Sequence, residues 1–70
     1  MMNHLKEYRN RKGLSQLKLA FLTGIAPSDI SRIENRWLYP YAGWRERLAR
    51  ALDTTESELF PLEDGGKDVD

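Results

Sequence analysis

The chain has 70 residues, which allows one small domain with a thin core and leaves little room for a deep substrate cavity. It has no cysteine, which excludes disulfides and thiolate metal sites, and no apolar run near the ~20 residues that a membrane-spanning helix needs. Its formal net charge is zero but unevenly spread: residues 1–50 carry ten Lys and Arg against four Asp and Glu, while residues 51–70 carry one against seven.

The segment from Asn3 to Lys12 contains neither Pro nor Gly and is rich in helix formers. Leu5 and Tyr8 fall on one face of the helix expected there, and Gly13 ends it as a carboxyl-terminal cap. Ser15 is a suitable N-cap for a second helix over Gln16 to Thr23, with Leu19, Ala20 and Leu22 as its inward set and Gly24 at its end. Pro27 suits the first turn of a third helix, where its missing N–H has no partner to lose. This helix is expected to reach Asn35, with Ile30 and Ile33 buried and Ser28 and Asp29 near its favourable end. Pro40 makes residues 36–41 a loop. A fourth helix is expected from Gly43 to Leu52, since Trp44, Leu48, Ala51 and Leu52 recur at amphipathic spacing. Thr55 and Glu58 match a capping box and start a short fifth helix through Leu59 and Phe60, stopped by Pro61. Residues 62–70, with Gly65-Gly66 and mostly acidic charge, read as a disordered acidic tail after a domain spanning 1–61.

The informative spacing lies between Gln16 and Ile33. Ala20, Gly24, Ile30 and Ile33 follow Gln16 by four, eight, fourteen and seventeen residues. Two helices that cross at about 90–120° through a short turn need a small residue at their contact, which Ala20 supplies. The turn needs a residue that accepts positive φ, which Gly24 supplies. The second helix must bury a branched apolar face, which Ile25, Ile30 and Ile33 supply.

In this register the chain resembles the lambda-repressor-like helix-turn-helix proteins, the Cro/repressor or XRE family. The residues that carry the resemblance are Leu5-Lys6-Glu7-Tyr8-Arg9, Gly13-Leu14-Ser15-Gln16, Leu19-Ala20, Gly24-Ile25, Ile30-Ser31-Arg32-Ile33-Glu34-Asn35, Pro40, Leu48-Ala49-Arg50-Ala51-Leu52 and Glu58-Leu59-Phe60. The resemblance implies an all-α, five-helix fold. It also implies sequence-specific binding of a double-stranded DNA operator by a transcriptional regulator, expected to be a repressor, whose third helix enters the major groove. The base-facing positions would be Pro27, Ser28, Ser31 and Arg32. Arg32 is the first choice for direct readout, because a guanidinium donates twice to guanine O6 and N7. Gln16 at one end, and Asn35 and Arg36 at the other, would meet phosphates, consistent with the basic charge of residues 1–50. Arg9 and Glu34 would form an interior ion pair joining helix 1 to helix 3, a stabilising role rather than a contact with DNA.

The chain departs from the family pattern in four places. Ala26 stands where a Ser or Thr cap is usual, and Pro27 where a base-reading polar side chain is common. Arg36 replaces a Gly at the helix end, which places a non-glycine residue in a left-handed conformation. Arg45 replaces an aliphatic residue. Leu17 and Phe21 lie on a face of helix 2 that the family leaves polar, and Trp37, Leu38, Tyr39, Tyr41 and Trp44 add an aromatic cluster; either the loop covers these residues or they form an exposed patch that binds a partner or a second copy.

An enzyme is not expected: the serines lack a histidine base, His4 has no metal-ligand spacing around it, and no phosphate-binding glycine loop is present. No cofactor is expected. The first residues do not read as a signal peptide, so the expected location is cytoplasmic. The competing reading is an interaction module, antitoxin-like or an adaptor, that uses the Trp/Tyr-rich surface. A weak homodimer, or one that forms only on DNA, is expected by analogy.

Overall fold

The computed structural model describes residues 3–61, which form five helices: α1 Leu5–Arg11, α2 Gln16–Thr23, α3 Pro27–Glu34, α4 Ala42–Ala51 and α5 Glu56–Leu59. The fold is all-helical, and no strand occurs among the described residues. The expected acidic tail lies outside the described residues.

One core holds the helices together. Leu5 of α1, Leu19 and Ala20 of α2, Ile25 of the turn, Ile30 and Ile33 of α3, Leu48, Ala49 and Leu52 of the α4 region, and Leu59 and Phe60 at α5 are all buried. Pro40 is also fully buried, so the loop before α4 is pinned to the core by the residue that prevents it from being helical. Ser15 caps α2 by accepting the Lys18 N–H at 3.0 Å, and Thr55 caps α5 by accepting the Glu58 N–H at 3.1 Å. The Glu58 side chain does not complete the reciprocal bond of a capping box. It accepts instead from the Tyr8 hydroxyl, and this bond to a carboxylate raises the phenol pKa above its usual value of 10.0. The His4 N–H donates to the Leu59 carbonyl at 2.8 Å, a second tie between the start of the chain and α5.

Leu22 is not part of the inward set of α2. It is 49% exposed, and Thr23 is buried in its place. The inward stripe is Gln16, Leu19, Ala20 and Thr23, and Leu22 turns off it. Burial of the Thr23 hydroxyl is compensated by donation to the Leu19 carbonyl at 2.8 Å and acceptance of the Ile25 N–H at 3.2 Å. The helix therefore tolerates a polar residue where the spacing suggested leucine, because the hydroxyl also closes the turn.

Three helices end in the same closure. After α1 the Gly13 and Leu14 N–H groups return to Asn10 and Arg9, after α3 the Arg36 and Trp37 N–H groups return to Ile33 and Arg32, and after α4 the Asp53 and Thr54 N–H groups return to Arg50 and Ala49. The pivot residue is left-handed each time, with φ of 69° at Gly13, 66° at Arg36 and 57° at Asp53. Only the first is glycine. A left-handed non-glycine residue costs roughly 1–2 kcal/mol, so the stop after α3 is made under strain.

A largely buried polar contact joins α1, α2 and α3. Arg9 Nε donates to Glu34 Oε2 at 2.6 Å and Nη2 to Oε1 at 3.1 Å. Arg9 Nη1 donates to the Leu14 carbonyl at 2.7 Å, and Gln16 Nε2 donates to Glu34 Oε1 at 2.9 Å. The side chains of Arg9 and Glu34 are only 10% and 3% exposed.

Two stability predictions follow from these contacts. Arg9→Ala or Glu34→Ala should each lose about 3–5 kcal/mol, because the surviving partner is left charged and buried. Arg9→Met/Glu34→Leu should recover most of that loss; urea titrations in which the double variant is as weak as the two single losses combined would contradict the pairing argument. Arg36→Gly should raise the thermal midpoint by about 4 °C by releasing the left-handed strain, and an unchanged or lower midpoint by circular dichroism would show that no strain is held there.

Candidate nucleic-acid interface

α3 is fixed at its carboxyl end and bare at its amino end. Pro27 occupies the first turn, and the N-cap Ala26 offers no side-chain bond, although its carbonyl accepts the Asp29 and Ile30 N–H groups, each at 3.0 Å. At the other end Asn3 Nδ2 donates to the Ile33 carbonyl at 2.7 Å, while Asn3 Oδ1 accepts the Leu5 N–H at 3.1 Å. One asparagine thus ties the start of α1 to the end of α3. Sequence reasoning assigned it no role, since a contact across thirty positions leaves no periodic trace.

With Ile30 and Ile33 turned into the core, the opposite face of α3 carries Pro27, Ser28 and Arg32, followed by Asn35 and Arg36, all exposed. The Arg32 guanidinium pairs with Asp29 Oδ1 at 3.6 Å, with the arginine side chain 60% exposed. An exposed pair of this kind contributes about 0–1 kcal/mol, so the guanidinium exchanges partners at little cost. Ser31 is half-buried. Asn35 folds back, its Nδ2 donating to the Ser31 carbonyl at 2.9 Å and lying 3.4 Å from the Ser31 hydroxyl. Of the expected set, Pro27, Ser28, Arg32 and Arg36 therefore present free chemical edges, while Ser31 and Asn35 are partly committed to each other.

Gln16 is half-buried and turned toward Glu34. An amide nitrogen carries two N–H donors, and one is used there. Its place on the inward stripe with Ala20 and Thr23 explains this. The spacing contained the signal, although the family register alone points to a phosphate.

The loop does not cover the outer face of α2. Leu17 is 70% exposed, and Phe21 and Trp37 are each 80% exposed. The other aromatics are used within the domain: Tyr41 packs on Trp44 with ring centroids 5.2 Å apart, and Tyr39 meets Phe60 edge-on at 6.0 Å. Arg45 organises this region. Its Nη1 donates to the Pro40 carbonyl at 2.7 Å, its Nε lies 3.3 Å from Glu56 Oε1, and its guanidinium lies 5.3 Å from the Tyr39 ring centroid. The arginine that replaces an aliphatic residue is thus a clasp between the loop, α4 and α5. No group of three or more metal-ligating side chains occurs among the described residues, and no described helix is long and apolar enough to cross a membrane.

A family model described as a helix-turn-helix domain matches residues 3–62. No curated protein matches the chain. Among solved structures, a chain of the SinR protein/SinI protein complex superposes with a TM-score of 0.77 at 31% sequence identity, over 96% of this chain and 64% of that one. This chain therefore spans somewhat under two thirds of the length of its structural relative. The matched family model, the five-helix architecture and the superposition together place the chain in the helix-turn-helix domain family, in its lambda-repressor-like form.

Proposed function

We propose that this chain is a non-enzymatic DNA-binding transcriptional regulator, a repressor, that inserts α3 into the major groove of a double-stranded operator. One observation carries the reading. Pro27, Ser28 and Arg32 stand exposed on the outward face of a helix whose other end is held by Asn3, Arg9 and Gln16.

The roles follow from chemistry and placement. Arg32 reads a guanine through paired donation to O6 and N7, giving up its weak contact with Asp29. Ser28 reads less sharply, because a hydroxyl both donates and accepts. Pro27 offers only apolar contact, which suits a thymine methyl. Ser31 stands at the edge of this set, and its hydroxyl supports Asn35 from below. Arg36 meets the phosphate backbone past the end of α3, joined by Asn35 when its amide gives up the long contact with the Ser31 hydroxyl, and the second Gln16 N–H does so at the start of α2. Two copies on a two-fold symmetric operator, with half-sites about one helical turn apart, fit a domain of this kind.

A second reading, an antitoxin-like or adaptor domain, is favoured by the exposure of Trp37 and Tyr41. The structural relative is itself in a complex of two differently named proteins. The two readings separate on duplex DNA. Binding measured by fluorescence anisotropy should weaken steeply with salt, by about one log–log slope unit for each phosphate contacted. No binding to any duplex at low salt would leave the interaction module as the better account.

On sites selected from random duplexes, Arg32→Ala should relax preference at one base pair, a loss of about 1–3 kcal/mol of discrimination. Arg36→Gly should instead weaken all duplexes alike and reduce the salt slope by about one. If both changes lower every site by the same factor, this division between base reading and phosphate contact is wrong.

A further inference from the structure

The closure after α3 sets one large side chain in water beside the proposed reading face. In a closure of this kind the second N–H past the helix returns to a carbonyl of the last turn, and the residue that carries it commonly folds an apolar side chain back onto that turn. After α1 this residue is Leu14, which packs against the core, and after α4 it is Thr54, which is half-buried. After α3 it is Trp37, which is 80% exposed. Its N–H donates to the Arg32 carbonyl at 2.8 Å, so its backbone is tied to the turn that carries Ser31 and Arg32. Leu38, the next residue, packs against the core, and Pro40 is fully buried. Trp37 therefore projects from a backbone held on both sides.

The indole is not used within the fold as the other aromatics are. Tyr39 pairs with Phe60 and Tyr41 with Trp44, while the cations that lie over rings do so at Tyr8, Phe21 and Tyr39. The apolar groove beside Leu17 and Phe21 does not include Trp37. The exposed residues just before it are Asn35 and Arg36. Their chemistry suits phosphate better than the core of a protein interface, where charge is depleted.

We propose that Trp37 is a further DNA-contacting residue, an uncharged anchor whose indole lies on the sugar–phosphate strand beyond the end of α3, beside the phosphate met by Arg36. The proposal rests on the DNA-binding reading of α3. With Arg32 directed to a base and Arg36 to the backbone, a residue bonded to the first and following the second lies at the wall of the groove. Deoxyribose carbons and phosphate oxygens alternate along that wall. An indole matches it, with an apolar face for the sugar and an N–H that can only donate for the phosphate.

The charge of the chain gives such a contact weight. A formal net charge of zero limits general attraction to a polyanion, and ionic contacts weaken with salt because they release counterions. A neutral anchor keeps its strength. An aromatic side chain buries about 150–250 Å², and a backbone already fixed leaves little to order on binding.

Anisotropy of labelled duplexes, one selected for binding and one of random sequence, titrated with the full chain over a salt series separates this contact from the ionic ones. Trp37→Ala should weaken both duplexes about tenfold, the loss expected of one buried aromatic anchor, with the log–log salt slope unchanged. Arg36→Gly should instead lower that slope by about one. The thermal midpoint of Trp37→Ala should match the wild type, and a clear fall would show that the indole serves the fold and overturn the proposal. Tryptophan emission reads the contact directly. Saturating unlabelled duplex should shield the wild type from acrylamide quenching, whereas Trp37→Phe, which leaves only the half-buried Trp44, should gain no shielding. A wild type that binds duplex with unaltered quenching, or Trp37→Ala that binds as tightly as the wild type, overturns the anchor and leaves the DNA-binding reading of α3 in place. The indole would then belong to a protein-facing surface. A wild type that binds no duplex at low salt overturns both.

Discussion

Glu34 is the residue on which the geometry of the domain depends. Its two carboxylate oxygens receive Arg9 from α1 and Gln16 from the first turn of α2, while the residue itself ends α3. A carboxylate almost removed from water has to be met by donors on every open side. Here those donors come from two other helices, so the charge can be satisfied only when all three have the correct relative position. Apolar contacts at Leu19, Ile30 and Ile33 favour burial but tolerate small rotations and slides. The Glu34 contacts do not, because charge-assisted hydrogen bonds weaken sharply when their geometry is lost. The core supplies most of the driving force for compaction, and the carboxylate fixes the crossing of the helices.

That arrangement also bears on which end of α3 is available. Three side chains, Asn3, Arg9 and Gln16, act on its last turn, and none caps its first. An N-cap side chain is worth about 1 kcal/mol, and this helix does without it at Ala26. It accepts a further strain at Arg36, where a guanidinium replaces the glycine that the closure prefers. Both departures fall at the two ends of the proposed reading helix. Departures of the same kinds occur elsewhere, since α1 and α4 also lack a side-chain N-cap and Asp53 is left-handed after α4, whereas Ser15 and Thr55 cap and Gly13 and Gly24 turn.

The sequence was most legible where a signal is local. Helix limits came from capping and turn chemistry, which act over a few residues, and they agree with the structure to within one or two positions. The burial of Ile30, Ile33, Leu48 and Leu52 followed from periodicity. Legibility fell where one residue must choose between two faces. Leu22 and Thr23 are adjacent, and hydrophobicity favours the leucine; the outcome turned on a hydroxyl that could close the next turn. Gln16 is the converse case. Family register suggested an outward role, while its place on the stripe with Ala20 and Thr23 faces it toward Glu34. Contacts between distant segments, such as Asn3 with Ile33 and Arg45 with Glu56, were not readable, since a single sequence carries no record of which distant residues meet.

The apolar face of α2 makes this more than a matter of bookkeeping. Had Leu17 and Phe21 been covered by the aromatic loop, they would have added to the thin core of a small domain. The structure places the loop elsewhere: Arg45 holds Pro40 and Tyr39 over α4 and α5, and Tyr41 packs on Trp44. The loop so ordered leaves the outer face of α2 uncovered. Large apolar side chains left in water contribute nothing to the isolated fold and create a tendency to associate, and here they lie in the same groove as Pro27.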